Sequence, residues 1–459
     1  MKAVDIVTIE KLIPIYKNGE PANAIEVARV KDSEGSSIQY DIVVGKGLHQ
    51  VGGRGIYIQP DYTIPMNKLF LEYHAPFGDP KNSKLGKKGR VRAIKFNLNF
   101  EGSEDPIYSY GVLLPWKEFV TWFTEELPKP DAFQGIVIPA AIGGVPNAGI
   151  NILPDFEHPD FPFQQILGVE KYVADESGSG SSHSGLKKAD RPSFLYKTDE
   201  ETIENHKRTV DRCYVDKEEV MYTTKRDGQS VSVYTRIDPI EQVWVQGICS
   251  RDMEKKLDQM QVSAYKDGEV ILHHYFHPEL KIKGWFNDGT RTFYPEEEAA
   301  VLFEPVMTEV RDNWVDTCKR DNVLEKMLAY CQKYNVQLAM RGEIVGNGIQ
   351  NKKNNYDSKL PEKKIIWFGV DDLSSGIARR IHYGQEHNLI KVCEELGFEY
   401  TKELFRGVFT YDEMVAKAKE YFKMAKETTG ILVEGVVIRT IFSNNLSVKK
   451  ISDEYDAKS

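Results

Sequence analysis

Lys225-Arg226-Asp227-Gly228 stands between two alternating apolar and polar runs, Glu219-Val-Met-Tyr-Thr-Thr224 and Gln229-Ser-Val-Ser-Val-Tyr234. A lysine at such a junction suits a nucleophile displayed between two strands. An amine that attacks the α-phosphorus of a nucleoside triphosphate becomes a lysyl-nucleotide. The attacking form is unprotonated, and a free lysine has a pKa of about 10.4. Nearby positive charge or desolvation is therefore expected to depress it, with Arg226, other cations or a metal as the sources. The same tetrapeptide also suits a plain hairpin in which Asp-Gly makes the bend.

Three further segments have the form of a strand with charged residues near its end. They are Gln246-Gly-Ile-Cys-Ser-Arg251, the run Val336 to Gln350 containing Arg341-Gly-Glu343, and Ile431-Leu-Val-Glu434-Gly-Val-Val-Ile-Arg439. Each alone also reads as an ordinary buried strand. In this order, and followed by Leu446-Ser-Val-Lys449-Lys450-Ile-Ser452, they resemble the signature series of covalent nucleotidyltransferases, the ligases and capping enzymes. The flanks narrow the likeness: Pro192-Ser-Phe-Leu-Tyr-Lys197-Thr-Asp-Glu-Glu201 and Arg341-Gly-Glu-Ile-Val-Gly-Asn-Gly-Ile-Gln350 resemble ATP-dependent RNA ligases of the Naegleria and Deinococcus type.

That resemblance covers most of the chain and implies an α+β architecture. Residues 1–170 would form an OB-like β-barrel that binds nucleic acid and 171–190 a flexible linker. Residues 191–459 would form a nucleotidyltransferase domain of antiparallel sheets with flanking helices, carrying an insertion around 254–334. Short runs such as Ala24–Lys31, Tyr40–Gly47, Gly55–Pro60, Arg90–Lys95 and Tyr110–Pro115 read as successive strands of the first domain. DNA ligases and capping guanylyltransferases, the alternative reading, usually carry their OB domain after the last motif. Only nine residues follow Lys450 here, so the order of domains favours RNA ligation. A nucleic-acid-binding module with a dead ligase core is a third reading, but the lysine and carboxylates that it would have lost are all present.

The resemblance assigns each motif a need. Lys225 would take AMP from ATP and release pyrophosphate. Asp227, Glu343 and Glu434 would hold Mg²⁺ or Mn²⁺, directly or through water, and Glu343 would also bind a ribose hydroxyl. Lys449 and Lys450 would contact the α-phosphate, Lys449 being the better match to the family lysine. Arg251 would grip a 5′-phosphate or the adenylate with its planar fork. Trp367 or Phe368 would stack on adenine, the other alternative for these rings being core packing. Lys197 is a weaker candidate for nucleotide contact. The partners implied are RNA or RNA/DNA ends with a 3′-hydroxyl and a 5′-phosphate, in RNA repair.

Composition agrees with this picture. The chain has 459 residues, enough for two or three domains, with 41% hydrophobic and 28% charged residues. A net charge of −9 argues against a protein that coats nucleic acid. A local patch still serves, since affinity depends on the cations that meet phosphates. Lys81 to Lys95 carries seven basic residues and no acid, among them Lys84, Lys87, Lys88, Arg90 and Arg92. On an OB-like domain this is a candidate nucleic-acid-binding face; a solvated basic loop is the plain alternative.

Five cysteines form no Cys-x-x-Cys pair, which suggests neither a zinc site nor a disulfide framework and fits a reducing, cytoplasmic setting. The most apolar stretch, 133–154, is broken by two internal prolines and four glycines, and no membrane span is expected. Asp175–Gly185 has the composition of a flexible linker. Val323–Tyr334 and Leu389–Leu396, the latter stopped by Gly397, show helical spacing. His273-His-Tyr-Phe-His277, inside the insertion, has a spacing that suits a metal, but strand residues pointing alternately in and out account for it better.

Overall fold

The computed structural model describes residues 2–126, 156, 158, 160–172, 187–197, 200–278, 280–349 and 357–458. The apolar stretch 133–154 and the linker-like run 175–185 lie outside them. The chain begins with strands β1 (Val4–Lys17), β2 (Glu20–Lys31), β3 (Ser37–Gly45) and β4 (Arg54–Ile58), joined later by β5 (Val112–Pro115) and helix α1 (Trp116–Glu126). They form one antiparallel sheet in the order β3-β2-β1-β4-β5. Asn18 and Gly19, with φ of 53° and 84°, make the two-residue turn between β1 and β2, the backbone form that matches strand twist.

The sheet curls until its edges meet. Tyr110, just before β5, donates its backbone N–H to the Asp41 carbonyl of β3 at 3.0 Å, and Val43 donates to the Ser109 hydroxyl at 2.9 Å. Alternation then gives two cores. Val7, Ile42, Tyr57 and Leu113 fill the interior. Ile56, Ile58, Phe119, Phe123, Phe156 and Phe163 pack the outer face against α1. Burying each of these phenylalanines contributes about 1.5–3 kcal/mol. The resemblance led to the expectation of a barrel-like first module; the sequence reading passed over β1, and the run Arg90–Lys95 is not a strand of this sheet, since only Ile94–Phe96 is extended there, paired with Ile107–Ser109 apart from it.

The rest of the chain supplies α2 (Lys207–Val215), β6 (Val220–Lys225), β7 (Gln229–Ile237) and β8 (Trp244–Cys249). An inserted block follows: β9 (Met260–Asp267), β10 (Val270–His277), β11 (Ile282–Asn287), β12 (Thr292–Pro295), α3 (Glu296–Leu302) and β13 (Glu304–Glu309). Then come α4 (Asn313–Arg320), α5 (Val323–Tyr334), β14 (Leu338–Val345), β15 (Lys364–Asp372), α6 (Leu389–Leu396), β16 (Glu403–Gly407), α7 (Tyr411–Thr429), β17 (Gly435–Thr440), β18 (Ser447–Ile451) and α8 (Asp453–Lys458). Local signals set the helix ends. Asn388 caps α6 and Gly397 stops it at φ 67°, while Thr410 and Glu413 close a capping box on α7.

Two antiparallel sheets position the site. One has the core order β8-β7-β14-β15; the other has the core order β18-β17-β6-β16. The chain leaves β6 in the second sheet and enters β7 in the first through Arg226, Asp227 and Gly228. Lys225 therefore stands where the two sheets part. Helices α4, α5 and α6 cover the first sheet and α2 and α7 the second.

The expected insertion of 254–334 proves narrower. Its strands β9–β13 make a separate sheet in the order β12-β11-β10-β9-β13, with a small core of Tyr265, Leu272, Trp285 and Ala299. Helices α4 and α5, at its end, belong to the main core through Val315, Cys318, Val323 and Met327. The first sheet is locked by a buried trio: Arg341 Nε donates to Asp371 Oδ2 at 2.7 Å and Arg380 Nε to Asp371 Oδ1 at 3.0 Å. Arg341 and Asp371 are both fully buried.

Candidate active site

A cavity of about 620 Å³ lies between the first module and the mouth of the two sheets. The second sheet delivers its groups by alternation. Val220 and Tyr222 of β6 face the α2–α7 core, so Lys225 falls on the opposite face, with Val437 and Arg439 of β17 lining the same cavity. Lys449 is the cross-strand partner of Val437 and shares that face. Glu434, just before β17, completes the set: Lys225 Nζ donates to Glu434 Oε1 at 2.7 Å.

The first sheet supplies Glu343 from β14, Phe368 from β15 and, from the turn after β8, Arg251. Glu343 accepts the Gly228 N–H at 3.2 Å. Position 228 has to be glycine, because a Cβ there would lie 2.2 Å from the Ile344 carbonyl oxygen and 2.9 Å from Glu343 Cγ. The junction is pinned from two distant points. Asp357 accepts from Arg226 Nη1 at 2.8 Å and from the Asp227 N–H at 3.0 Å, and the Tyr455 hydroxyl of α8 donates to Asp227 Oδ2.

The electrostatics of Lys225 reverse the expectation from sequence. Burial on its own disfavours the ammonium, but the carboxylates of Glu434, Glu343 and Asp227 outweigh it and hold the lysine above its ordinary range. Arg226, the expected source of positive charge, instead pairs with Asp357. Glu343 moves the other way. Burial, with Glu434 and Asp227 nearby, pushes its carboxyl up to about 8 against the opposing pull of Lys225 and the Gly228 N–H.

Two of the sequence-derived assignments need correction. Trp367 is 1% exposed and packs in the main core, its ring centroid 5.8 Å from that of Phe398. Adjacent strand residues point to opposite faces, so Phe368 is the aromatic in the cavity and Trp367 is not available to stack on a base. Lys450 is the second. One step beyond Lys449, its ammonium is held by Glu204 and Asp453, each at 2.8 Å, and its side chain is only 7% exposed. Its charge is thus already met by an ion-pair cluster where it lines the cavity, which leaves Lys449, without such a cluster among the described residues, as the lysine assigned to the phosphate.

The remaining candidates divide. Lys197 lines the cavity while pairing with Asp252. Arg90 also lines it, anchored to Asp61 at 2.6 Å and set over the Tyr172 ring at 4.7 Å. Lys84, Lys87 and Lys88 are exposed and do not line the cavity, and Arg92 donates to the Lys84 carbonyl at 3.2 Å. Asp357, Tyr455 and the contributions of Tyr40, Tyr110 and Tyr172 from the first module were missed in the sequence. Each lies far along the chain from the motif it supports, and only Tyr40 and Tyr110 sat in runs read as strands.

Among the described residues, no three His, Cys, Asp or Glu side chains converge closely enough to hold a metal by themselves. Glu343, Glu434 and Asp227 nevertheless offer hard oxygen donors that all act on one ammonium. That donor set fits a divalent cation completed by water and by a nucleotide's phosphates, the usual manner of Mg²⁺.

No family model matches the chain, and no curated protein matches it in sequence. Solved structures match its fold. An RNA ligase of Naegleria gruberi with AMP and Mn is 18% identical with a TM-score of 0.59, over 100% of this chain and 99% of that one. Another form with ATP and Mn is 19% identical at TM-score 0.60, again over 100% and 99%. The chain thus has the full-length fold of that ligase: a mixed α+β architecture of mostly antiparallel sheets with flanking helices.

Proposed function

We propose that the protein is an ATP-dependent RNA ligase that joins a 3′-hydroxyl end to a 5′-phosphate end in RNA repair. The observation that carries this reading is Lys225 at the parting of two sheets, bonded to Glu434 in a cavity that also gathers Glu343, Lys449, Arg251 and Phe368. The full-length fold likeness to an RNA ligase supports it.

In the first step Lys225 Nζ forms a bond to the α-phosphorus of ATP, the bond to the β-phosphate oxygen breaks, and pyrophosphate leaves with that electron pair. The 2.7 Å hydrogen bond gives the ammonium proton a destination on Glu434. Phe368 stacks on the adenine, and Lys449 meets the α-phosphate. A divalent cation held by Glu434, Glu343 and Asp227 with water would supply positive charge to the phosphoryl oxygens. In the second step an oxygen of the 5′-phosphate, which Arg251 and Lys197 grip, forms a bond to the adenylate phosphorus, the P–N bond breaks, and Lys225 leaves as the amine and takes up a proton. In the third the 3′-hydroxyl attacks that phosphate and expels AMP.

RNA or RNA/DNA ends are the partners, and Arg90 reaches them from the first module. Among the described residues no helix is long and apolar enough to cross a membrane. The five free, buried cysteines support a reducing, cytoplasmic setting.

The test is to give the protein ATP, Mg²⁺ and 5′-phosphorylated RNA. An AMP-capped 5′ end followed by joined product is expected. A guanylate transferred from GTP would turn the reading to capping, and joining confined to DNA ends would turn it to a DNA ligase.

A further inference from the structure

A second cavity, of about 390 Å³, adjoins the first, and the three steps above leave it unused. Four residues line both: Lys197, Glu200, Phe368 and Arg439. The other walls come from Tyr196, from the stretch Arg380 to Tyr383 after β15, and from the turn that joins β17 to β18.

Local packing fixes these walls. The Ile381 N–H donates to the Val370 carbonyl of β15 at 2.9 Å, and the Gly384 N–H to the Ile441 carbonyl at 3.2 Å. Asn444 donates its amide to the Arg380 carbonyl at 2.9 Å. The two turns meet at Gly384, where a Cβ would lie 2.6 Å from Phe442 Cδ1. A pocket held in this way is largely formed before its ligand arrives.

The lining describes a flat, uncharged ligand with a polar edge. Tyr196 and Tyr383 bring rings, Leu389 and Leu446 apolar surface, and His382 and Asn444 hydrogen-bonding groups. Among the described residues, each lysine and arginine on the wall is already met by a carboxylate: Lys197 by Asp252, Arg380 by Asp371 and Arg439 by Glu200. The Arg380 and Arg439 pairs are largely buried, so a phosphate inside the pocket would meet only paired charge. The Lys197 pair is different. Both of its side chains are 54% exposed, so Lys197 can exchange Asp252 for a phosphate at the seam of the two cavities.

Tyr196 is the ring placed to stack. The Arg341 guanidinium supports it, 5.1 Å from its ring centroid, while the residue stays 40% exposed. It is also the chain neighbour of Lys197, as a base is the neighbour of its own phosphate.

We propose that this pocket holds the base of the nucleotide that bears the 5′-phosphate, stacked on Tyr196, while Lys197 and Arg251 hold the phosphate in the main cavity; the proposal rests on the ligase reading above. Unstacked bases at RNA ends are bound in this manner, on aromatic rings and with their edges hydrogen-bonded. Phe368 and Arg439, common to both cavities, then divide the adenine of the adenylate from the base of the end that receives it.

The test follows AMP transfer from the adenylylated full-length protein to a 5′-phosphorylated oligoribonucleotide and to the same strand with an abasic first nucleotide. The wild type should serve the abasic strand about ten-fold more slowly, the loss of one stacked base. Tyr196→Ala should slow transfer to the intact strand by about the same factor and show no further abasic penalty. Tyr196→Phe should behave as wild type. The rate of self-adenylylation and its KM for ATP should be unchanged in both variants, a readout that misfolding would move. Photo-crosslinking of the wild type to RNA with thiouridine as the first nucleotide should mark peptides containing Tyr196 or residues 380–389. Equal transfer to intact and abasic strands by the wild type, or crosslinks only elsewhere, would overturn the proposal and leave the ligase reading standing. A raised KM for ATP in Tyr196→Ala would overturn it in favour of the adenine of ATP in this pocket. Absence of self-adenylylation in the wild type would overturn the ligase reading and the proposal with it.

Discussion

At the scale of residues, the site rests on the balance between one lysine and its acids. The 2.7 Å bond from Lys225 to Glu434 makes Glu434 the holder of the charged lysine and, in the proposed reaction, would make it the acceptor of the lysine's proton. Glu434→Gln keeps the shape and removes the base, so self-adenylylation should fall by about 10²–10⁴-fold, measured as the rate of label incorporation. An unaltered rate would remove Glu434 from the proton path. Glu343 makes a separate prediction. Its folded-state carboxyl titrates at about 8, above the ordinary carboxyl value, so between those values the folded state holds a proton that the unfolded state has lost. Stability should therefore fall as pH rises through that window. Melting temperatures of the nucleotide-free protein across it should slope downward, and Glu343→Gln should flatten that part of the slope. Lys225, Glu343 and Glu434 were singled out in the sequence by the order of their segments, since each segment alone reads as an ordinary strand or hairpin, and the structure brings the three together. The charge state of Lys225 was not legible there, because it depends on which carboxylates fold back onto it.

At the scale of elements, alternation along strands decides which of two adjacent residues reaches the cavity. The pairs Trp367-Phe368 and Lys449-Lys450 were both visible as candidates; the first resolves one in and one out, while in the second both line the cavity and the Lys450 ammonium is already paired with Glu204 and Asp453. Sequence alone gives the spacing of two but not the register that sets its phase. Asn18-Gly19 was a hairpin signal of the strongest kind that nonetheless went unread, and β1 was lost with it. Holding β14 and β15 in register is the buried trio of Arg341, Asp371 and Arg380. Asp371→Ala would leave two guanidinium groups without their shared carboxylate and should cost about 3–5 kcal/mol in denaturant unfolding. A change below roughly 1 kcal/mol would mean that water or other groups compensate them.

At the scale of the whole molecule, the first module is part of the site rather than an appendage. Tyr110 donates to Asp453 of α8, while Tyr455 of the same helix donates to Asp227 beside the nucleophile. The C-terminal helix thus touches both the barrel and the lysine loop, and Tyr40 adds a bond to Thr202 at 2.9 Å. The family resemblance implied an OB-like first module, and the short strands and turns of the sequence were compatible with it, but which side of the module faces the cavity emerges only in the structure. Of the basic residues between Lys81 and Lys95, Arg90 is the one that lines the cavity. Arg90→Ala should leave self-adenylylation intact and slow strand joining by roughly ten-fold, the loss expected of one phosphate-gripping guanidinium. Equal losses in both steps would place Arg90 in the fold of the cavity instead.

The central claim is that Lys225 becomes covalently bound to AMP. Incubation with α-labelled ATP and Mg²⁺, followed by denaturing electrophoresis, tests it most directly. The account predicts label on the wild-type chain that survives denaturation and is lost in Lys225→Ala. Label that persists in the variant, or none on the wild type, would contradict it.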